Sequence, residues 1–319
     1  MTTRRGLGAL LLAAALTAAM FAPTIASASM TSHGNYPVPY SFLPDMAAAP
    51  KNAPPPGANI WTCRPTEAHP YPVILVHGLL SNQADNWQTY GPLLANNGYC
   101  VFTLTYGTRS TQPPFSYMGG LAPMEQDAKV LGKFVDTVLD ATGARKVDIL
   151  GHSEGATMPY WYLKFDDPGR KVAKMIGLSP VVHGSWLAGV PLIDTWLHAL
   201  GLPSVDASAI GALCAACAEI NPDSAWMHKL DSHGIAAPGV EYTQVMTQYD
   251  ELVVPYTSGI VDGPHSTNIV IQDQCPMDTV DHVSMGVDPN VARDVLNALD
   301  PAHAKPVACA PFVPIIGAV

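Results

Sequence analysis

The five residues Gly151-His152-Ser153-Glu154-Gly155 constrain this chain more than any other stretch. The residues before them, 146–150, read as a short buried strand, and residues 156–165 read as a helix. A serine between the two sits on a sharp strand-to-helix turn, and the flanking glycines leave room for so tight a bend. Such a turn lifts the serine hydroxyl above the end of a sheet. The plainer alternative is a glycine-rich turn in which Ser153 only caps the next helix. The flanking strand and helix, with suitable acid and base residues downstream, favour a nucleophile.

The rest of the sequence supplies the sheet. The run Tyr71-Pro72-Val73-Ile74-Leu75-Val76-His77-Gly78 is continuously apolar before its last two residues, as expected of a strand buried on both faces. Helix is expected over 87–96 and strand over 99–106. A second helix is expected over 124–141, with Val130, Phe134, Val138 and Leu139 along its apolar stripe and Gly143 ending it. Further strands are expected at 172–178, 241–247 and 268–272, and a last helix at 290–299. Alternating strands and helices imply an α/β fold with a mostly parallel sheet flanked by helices. Pro159 should bend the helix after the serine. Residues 181–238 break the rhythm: Trp186, Leu187, Val190, Leu192, Ile193 and Trp196 crowd together between glycines and prolines. This reads as a helical cap or lid, with Trp186, Leu187 and Val190 as substrate-binding candidates; a core helix with a long loop is the alternative.

The first 28 residues read as a secretory signal peptide. Arg4 and Arg5 precede an apolar stretch, and Ala26-Ser27-Ala28 offers a small-residue cleavage site. The stretch is short for a membrane span, which takes about 20 residues. Residues 29–70 read as a proline-rich arm, and 71–319 as one large domain. A formal charge of −10 with only 13% charged residues argues against nucleic acid and anionic membranes as main partners. It leaves room for a neutral, apolar substrate. Six cysteines in an exported chain suggest three disulfides. The expected pairs are Cys63–Cys100, Cys214–Cys217 and Cys275–Cys309, the last tying the tail to a loop that carries a histidine. The Cys214–Cys217 spacing could instead serve redox or metal chemistry, but no second pair accompanies it.

A serine hydroxyl needs a base to take its proton, and the base needs a carboxylate to fix its tautomer. Asp250 follows the strand at 241–247, and His282 lies in the loop after the strand at 268–272. Both loops leave strand ends on the same rim as the serine turn. Glu251, Asp262, Asp273 and Asp278 compete as the acid, but Asp250 is better placed. His265 precedes the last strand, His303 lies beyond the last helix, and His183, His198, His228 and His233 fall in the insertion. The backbone N–H groups of Leu79 and Glu154 are the expected oxyanion donors, with His77 and Gly78 shaping the loop. No metal-ligand spacing of the H-x-x-x-H kind occurs around Asp281-His282, so neither a catalytic metal nor a cofactor is expected.

The motifs at 72–78 and 151–155, Tyr249-Asp250-Glu251-Leu252-Val253-Val254-Pro255 and Asp281-His282 together resemble the secreted bacterial lipases of the class 2 triacylglycerol lipase family, especially actinobacterial members. The resemblance spans about residues 60–300. It implies an α/β-hydrolase fold, a Ser153–Asp250–His282 triad, and carboxylester substrates such as acylglycerols. It also supports the three cysteine pairs. A monomer meeting lipid interfaces only transiently is expected. Acyltransferases and polyester depolymerases use the same triad, and a non-catalytic scaffold is the remaining rival.

Overall fold

A computed structural model describes residues 34–112, 115–167, 170–186, 214–314 and 317–318. Six strands form one sheet: β1 (Val73–Val76), β2 (Val101–Leu104), β3 (Val147–His152), β4 (Val172–Leu178), β5 (Glu241–Met246) and β6 (Ser266–Val270). Their order is β2-β1-β3-β4-β5-β6, and every neighbouring pair is parallel. The helices are α1 (Leu43–Ala48), α2 (Tyr90–Asn96), α3 (Met124–Thr142), α4 (Met158–Trp161), α5 (Ala215–Glu219), α6 (Ala225–Asp231), α7 (Ile271–Gln274) and α8 (Pro289–Leu299).

The pleat explains the two-faced core. Ile74, Val76, Phe102, Val147 and Ile149 point to one side and pack with Met124, Leu131 and Val135 of α3. Val73, Leu75, Val101 and Leu150 point to the other, against Leu94 of α2 and Val291 and Val295 of α8. Both faces of the central strands are therefore dry, and each strand can end only at the rim. The carboxyl ends of β1, β3 and β5 lead into the segments that carry Leu79, Ser153 and Asp250, and β6 leads through α7 to His282.

Some sequence expectations shift. The buried face of α3 is Met124, Ala128, Leu131, Val135 and Val138, whereas Val130 is exposed and Phe134 only half-buried. The stripe through 130 and 134 lies one residue away from the side that meets the sheet. Residues 156–165 are not one regular helix. Ser153–Ala156 is a 3₁₀ turn, α4 follows, and Tyr162–Asp166 is π-helical. Pro159 sits in the first turn of α4, where its missing N–H removes no helical bond, so it starts the helix and does not bend it. The expected final strand begins and ends two residues earlier than predicted, and Ile271–Gln274 turns helical. Helix α1 interrupts the arm that precedes β1.

Three disulfides join Cys63 to Cys100, Cys214 to Cys217 and Cys275 to Cys309. The first holds the arm to the start of β2. The second sits at the N-terminus of α5, where Cys214 Sγ accepts from the Cys217 N–H at 3.1 Å. The third anchors the tail beside the loop after α7. Nearly half of the expected cap, residues 187–213, lies outside the described residues. Helices α5 and α6 are its described remainder, and Trp226 of α6 stacks on Trp161 of α4 with centroids 5.2 Å apart.

The glycines of the serine turn have steric reasons. A Cβ on Gly151 would lie 2.0 Å from the Gly155 carbonyl oxygen, and one on Gly155 would lie 2.2 Å from those of Val76 and His77. These neighbours are backbone and cannot give way. Gly155→Ala is therefore expected to cost at least about 3 kcal/mol. Thermal melting tests this; a melting point within about 2 °C of wild type would contradict the packing described.

Candidate active site

Strand β3 ends at His152, and Ser153 takes a φ of 56°, a left-handed conformation rare for a residue with a side chain. The strand hydrogen bonds before it and the 3₁₀ turn after it hold this strain. Ser153 is half-buried, while its neighbours on either side, His152 and Glu154, are buried. Thr157 secures the turn: its hydroxyl donates to the Ser153 carbonyl at 3.1 Å and accepts the Val181 N–H at 2.8 Å.

Asp250 and His282 meet. Nδ1 of His282 lies 2.9 Å from both carboxylate oxygens of Asp250, and both side chains are almost fully buried. With Nδ1–H donating to the carboxylate, Nε2 is left as the acceptor. Burial alone would lower the His282 pKa; the charge and hydrogen bond of Asp250 outweigh it and raise it above the usual histidine value. Burial alone would raise the Asp250 pKa, but the same partnership, with amides including that of Val253, lowers it. Oδ1 of Asp250 accepts the Leu252 and Val253 N–H groups at 3.0 and 2.7 Å. The two loops are tied at their bases as well. The Thr247 hydroxyl donates to the Val280 carbonyl at 2.7 Å, and Gln272 Nε2 reaches Thr247 Oγ1 at 3.0 Å and the Asp278 carbonyl at 3.1 Å. Glu251, weighed as a rival acid, instead accepts the His282 N–H at 3.1 Å. It holds the backbone of the residue whose ring its neighbour orients.

Leu79 follows β1 beside the serine turn. Nδ1 of His77 donates to the Gly78 carbonyl at 2.8 Å, and Nε2 accepts the Tyr106 N–H at 3.3 Å. Burial pushes the His77 pKa down to about 4, so the ring stays neutral in this tautomer. The Gly78 carbonyl and the Leu79 N–H belong to one trans peptide and point in opposite directions. By holding the carbonyl, His77 aims the Leu79 N–H. A Cβ on Gly78 would lie 3.2 Å from the Cβ of Ser153, which shows how closely this loop approaches the serine.

Glu154 is fully buried, and neither of its carboxyl oxygens accepts a hydrogen bond among the described residues. The neighbouring Tyr106 hydroxyl donates to the His77 carbonyl at 2.7 Å. Burial, with the nearby charges of Asp127 and Glu219, raises the Glu154 pKa well above the usual range. Burial also pushes Asp127 up to about 7. Burial thus favours the neutral form of Glu154, directly after Ser153.

Of the substrate-binding candidates, Trp186 is 60% exposed, and its main-chain N–H donates to the Val254 carbonyl at 3.1 Å beside the Asp250 loop. Leu187 and Val190 lie outside the described residues. Among the described residues, no three histidine, cysteine, aspartate or glutamate side chains are placed to hold a metal ion.

The neutral state of Glu154 fixes a pH dependence. Above the ordinary glutamate value of 4.5 the unfolded chain releases this proton, while the folded chain keeps it. Stability is thus full below that value and falls as pH rises toward the folded pKa. Glu154→Gln should melt higher than wild type at pH 8, with the advantage shrinking toward pH 4. Melting curves across that range decide; an advantage independent of pH would contradict the assignment.

Residues 70–293 match the family of class 2 lipases. Lipase B of Aspergillus fumigatus superposes with a TM-score of 0.56 at 17% identity, over 86% of this chain and 65% of that one. The chain thus spans slightly less than two thirds of that lipase. The mature lipase BlEst2 of Bacillus licheniformis aligns with a TM-score of 0.44 at 16% identity, over 70% of this chain and 89% of that one. An α/β hydrolase from lagoon sediments of Mar Chica, Morocco, gives 0.45 at 14% identity, over 71% and 89%. The order of the parallel sheet and the family match over residues 70–293 make the fold that of the α/β hydrolases, and the chain belongs to the class 2 lipases, a family of carboxylic ester hydrolases.

Proposed function

We propose that this protein is a secreted serine esterase that cleaves acylglycerol-type esters through an acyl-enzyme on Ser153. The observation that carries the reading is the buried Asp250–His282 pair at 2.9 Å, on the rim that also carries the strained Ser153. His282 accepts the Ser153 proton through Nε2 as the hydroxyl oxygen attacks the ester carbonyl. Asp250 stabilises the imidazolium that forms. The Leu79 and Glu154 N–H groups receive the oxyanion. Collapse of the tetrahedral intermediate breaks the bond to the alcohol, which leaves with the proton from His282. Water, deprotonated by the same imidazole, then attacks the acyl-enzyme and releases the acid.

The neutral state of Glu154 suits this role, because an ionised carboxyl would oppose the oxyanion held by its own N–H. The three disulfides and the signal-peptide pattern at 1–28 support export. Exposed Trp186, with Leu187 and Val190, is proposed to line the acyl site within a cap at 181–238.

Ser153→Ala should fold normally and lose nearly all esterase activity; retained activity would overturn the nucleophile. Asp250→Asn should lower kcat by about 10³–10⁴-fold, and an unchanged kcat would move the acid elsewhere. Rates on p-nitrophenyl esters of increasing chain length test the acyl site, and a sharp preference for two-carbon chains would count against a long acyl groove.

A further inference from the structure

His152 and Asn86 take no part in the chemistry above, yet both are buried between its loops, each only 6% exposed. His152 Nε2 lies 2.9 Å from the main-chain carbonyl oxygen of His282. Its Nδ1 lies 3.1 Å from Asn86 Nδ2 and 3.3 Å from Asn86 Oδ1. Asn86 Oδ1 lies 2.8 Å from the Gly78 amide nitrogen.

The two ends fix every proton between them. A carbonyl only accepts, so Nε2 of His152 carries the hydrogen. Burial, reinforced by neighbouring His282, drives the His152 pKa down to about 3, so the ring is neutral and Nδ1 is bare. Nδ1 must then accept, and only the Nδ2 of Asn86 can donate to it. That leaves Oδ1 of Asn86 to accept the Gly78 N–H, which can only donate. The chain of donation runs one way: Gly78 N–H to Asn86, Asn86 to His152, His152 to the His282 carbonyl. Such a chain polarises along its length.

Packing follows the same path. The rings of His152 and His282 lie 5.0 Å apart at 36°. A Cβ on Gly286, in the turn after His282, would come 3.2 Å from Asn86 Nδ2. The link joins three separate pieces of chain: the loop before Leu79, the residue before Ser153 and the residue that carries the base. It also occupies the Gly78 N–H, leaving the next amide, Leu79, to face the oxyanion.

We infer that Asn86 and His152 are positioning residues that lock the oxyanion loop to the backbone of His282, so that oxyanion donor and base keep one spacing through the reaction. The inference rests on the serine reading above. That reading stands or falls on whether a fluorophosphonate attaches to Ser153 of the wild-type protein, and the variants are compared, unlabelled, once it does.

Asn86→Leu and His152→Gln each break the Asn86–His152 link, and a glutamine at 152 can still donate to the His282 carbonyl. Each should lower kcat on a soluble p-nitrophenyl ester by about 10- to 100-fold, with KM within about threefold of wild type. Fluorophosphonate inactivation should slow in parallel, because it passes through the same oxyanion site. The double variant should be no slower than Asn86→Leu alone, within about twofold, since both break one unit. A kcat unchanged in both single variants would overturn the inference. So would losses that multiply in the double variant, or losses that merely follow a reduced folded fraction in melting curves. Should Asn86→Leu fail to fold, His152→Gln decides alone: reduced kcat at wild-type melting temperature supports the relay, and wild-type kcat overturns it.

Discussion

The hydrogen bond between His282 and Asp250 is the constraint around which the rest of the molecule is arranged. An imidazole and a carboxylate are costly to bury apart and stable to bury together. Each shifts the other's protonation in the direction that keeps the bond: the acid stays ionised and the ring is set with Nδ1 protonated. Placing the pair on two loops makes its geometry depend on how those loops leave the sheet. The parallel strands deliver both to one rim. Thr247, Gln272 and Glu251 then fix the loops to each other through backbone carbonyls and amides.

Burial does more than exclude water here. It holds His77 and His152 neutral, so each can donate from one nitrogen and accept at the other. The two adopt opposite tautomers because their obligatory carbonyl partners lie on opposite ring nitrogens. His77 grips the carbonyl of Gly78, and Asn86, backed by His152, grips its N–H. Gly78 is thereby fixed at both ends of its own residue. Burial also favours the protonated form of Glu154, so under the proposed reaction the turn after Ser153 would carry no charge opposing the oxyanion. That raised pKa costs stability as pH climbs past the ordinary glutamate value.

Much of this was legible in the sequence. The strands announced themselves because both faces are dry, so runs such as Val73–Val76 are apolar throughout. The glycines at 151 and 155 marked a turn that no Cβ could enter. The compartment suggested three disulfides, and the expected pairing, supported by the family resemblance, is the one observed. Other features depend on contacts no local pattern reveals. Helix α3 has apolar residues on adjoining faces, and only docking against the sheet selects Leu131 and Val135 over Val130. Pro159 looked like a helix interruption because the 3₁₀ turn that shifts the helix start is a product of the strained serine. Glu251 was set aside as the wrong acid, and its bond to the His282 amide appears only once two loops meet. Asn86 carried no signal: nothing near it in sequence predicts a partner at position 152.

The central claim is that the hydroxyl at 153 becomes covalently acylated during turnover. Rapid acid quench during reaction with a slowly deacylated p-nitrophenyl ester, followed by peptide mass spectrometry, tests it directly. One acyl group on the peptide containing Ser153 is the predicted result. Steady turnover with acyl on another residue, or with no acylated peptide at all under conditions where product release shows a burst, would contradict the account.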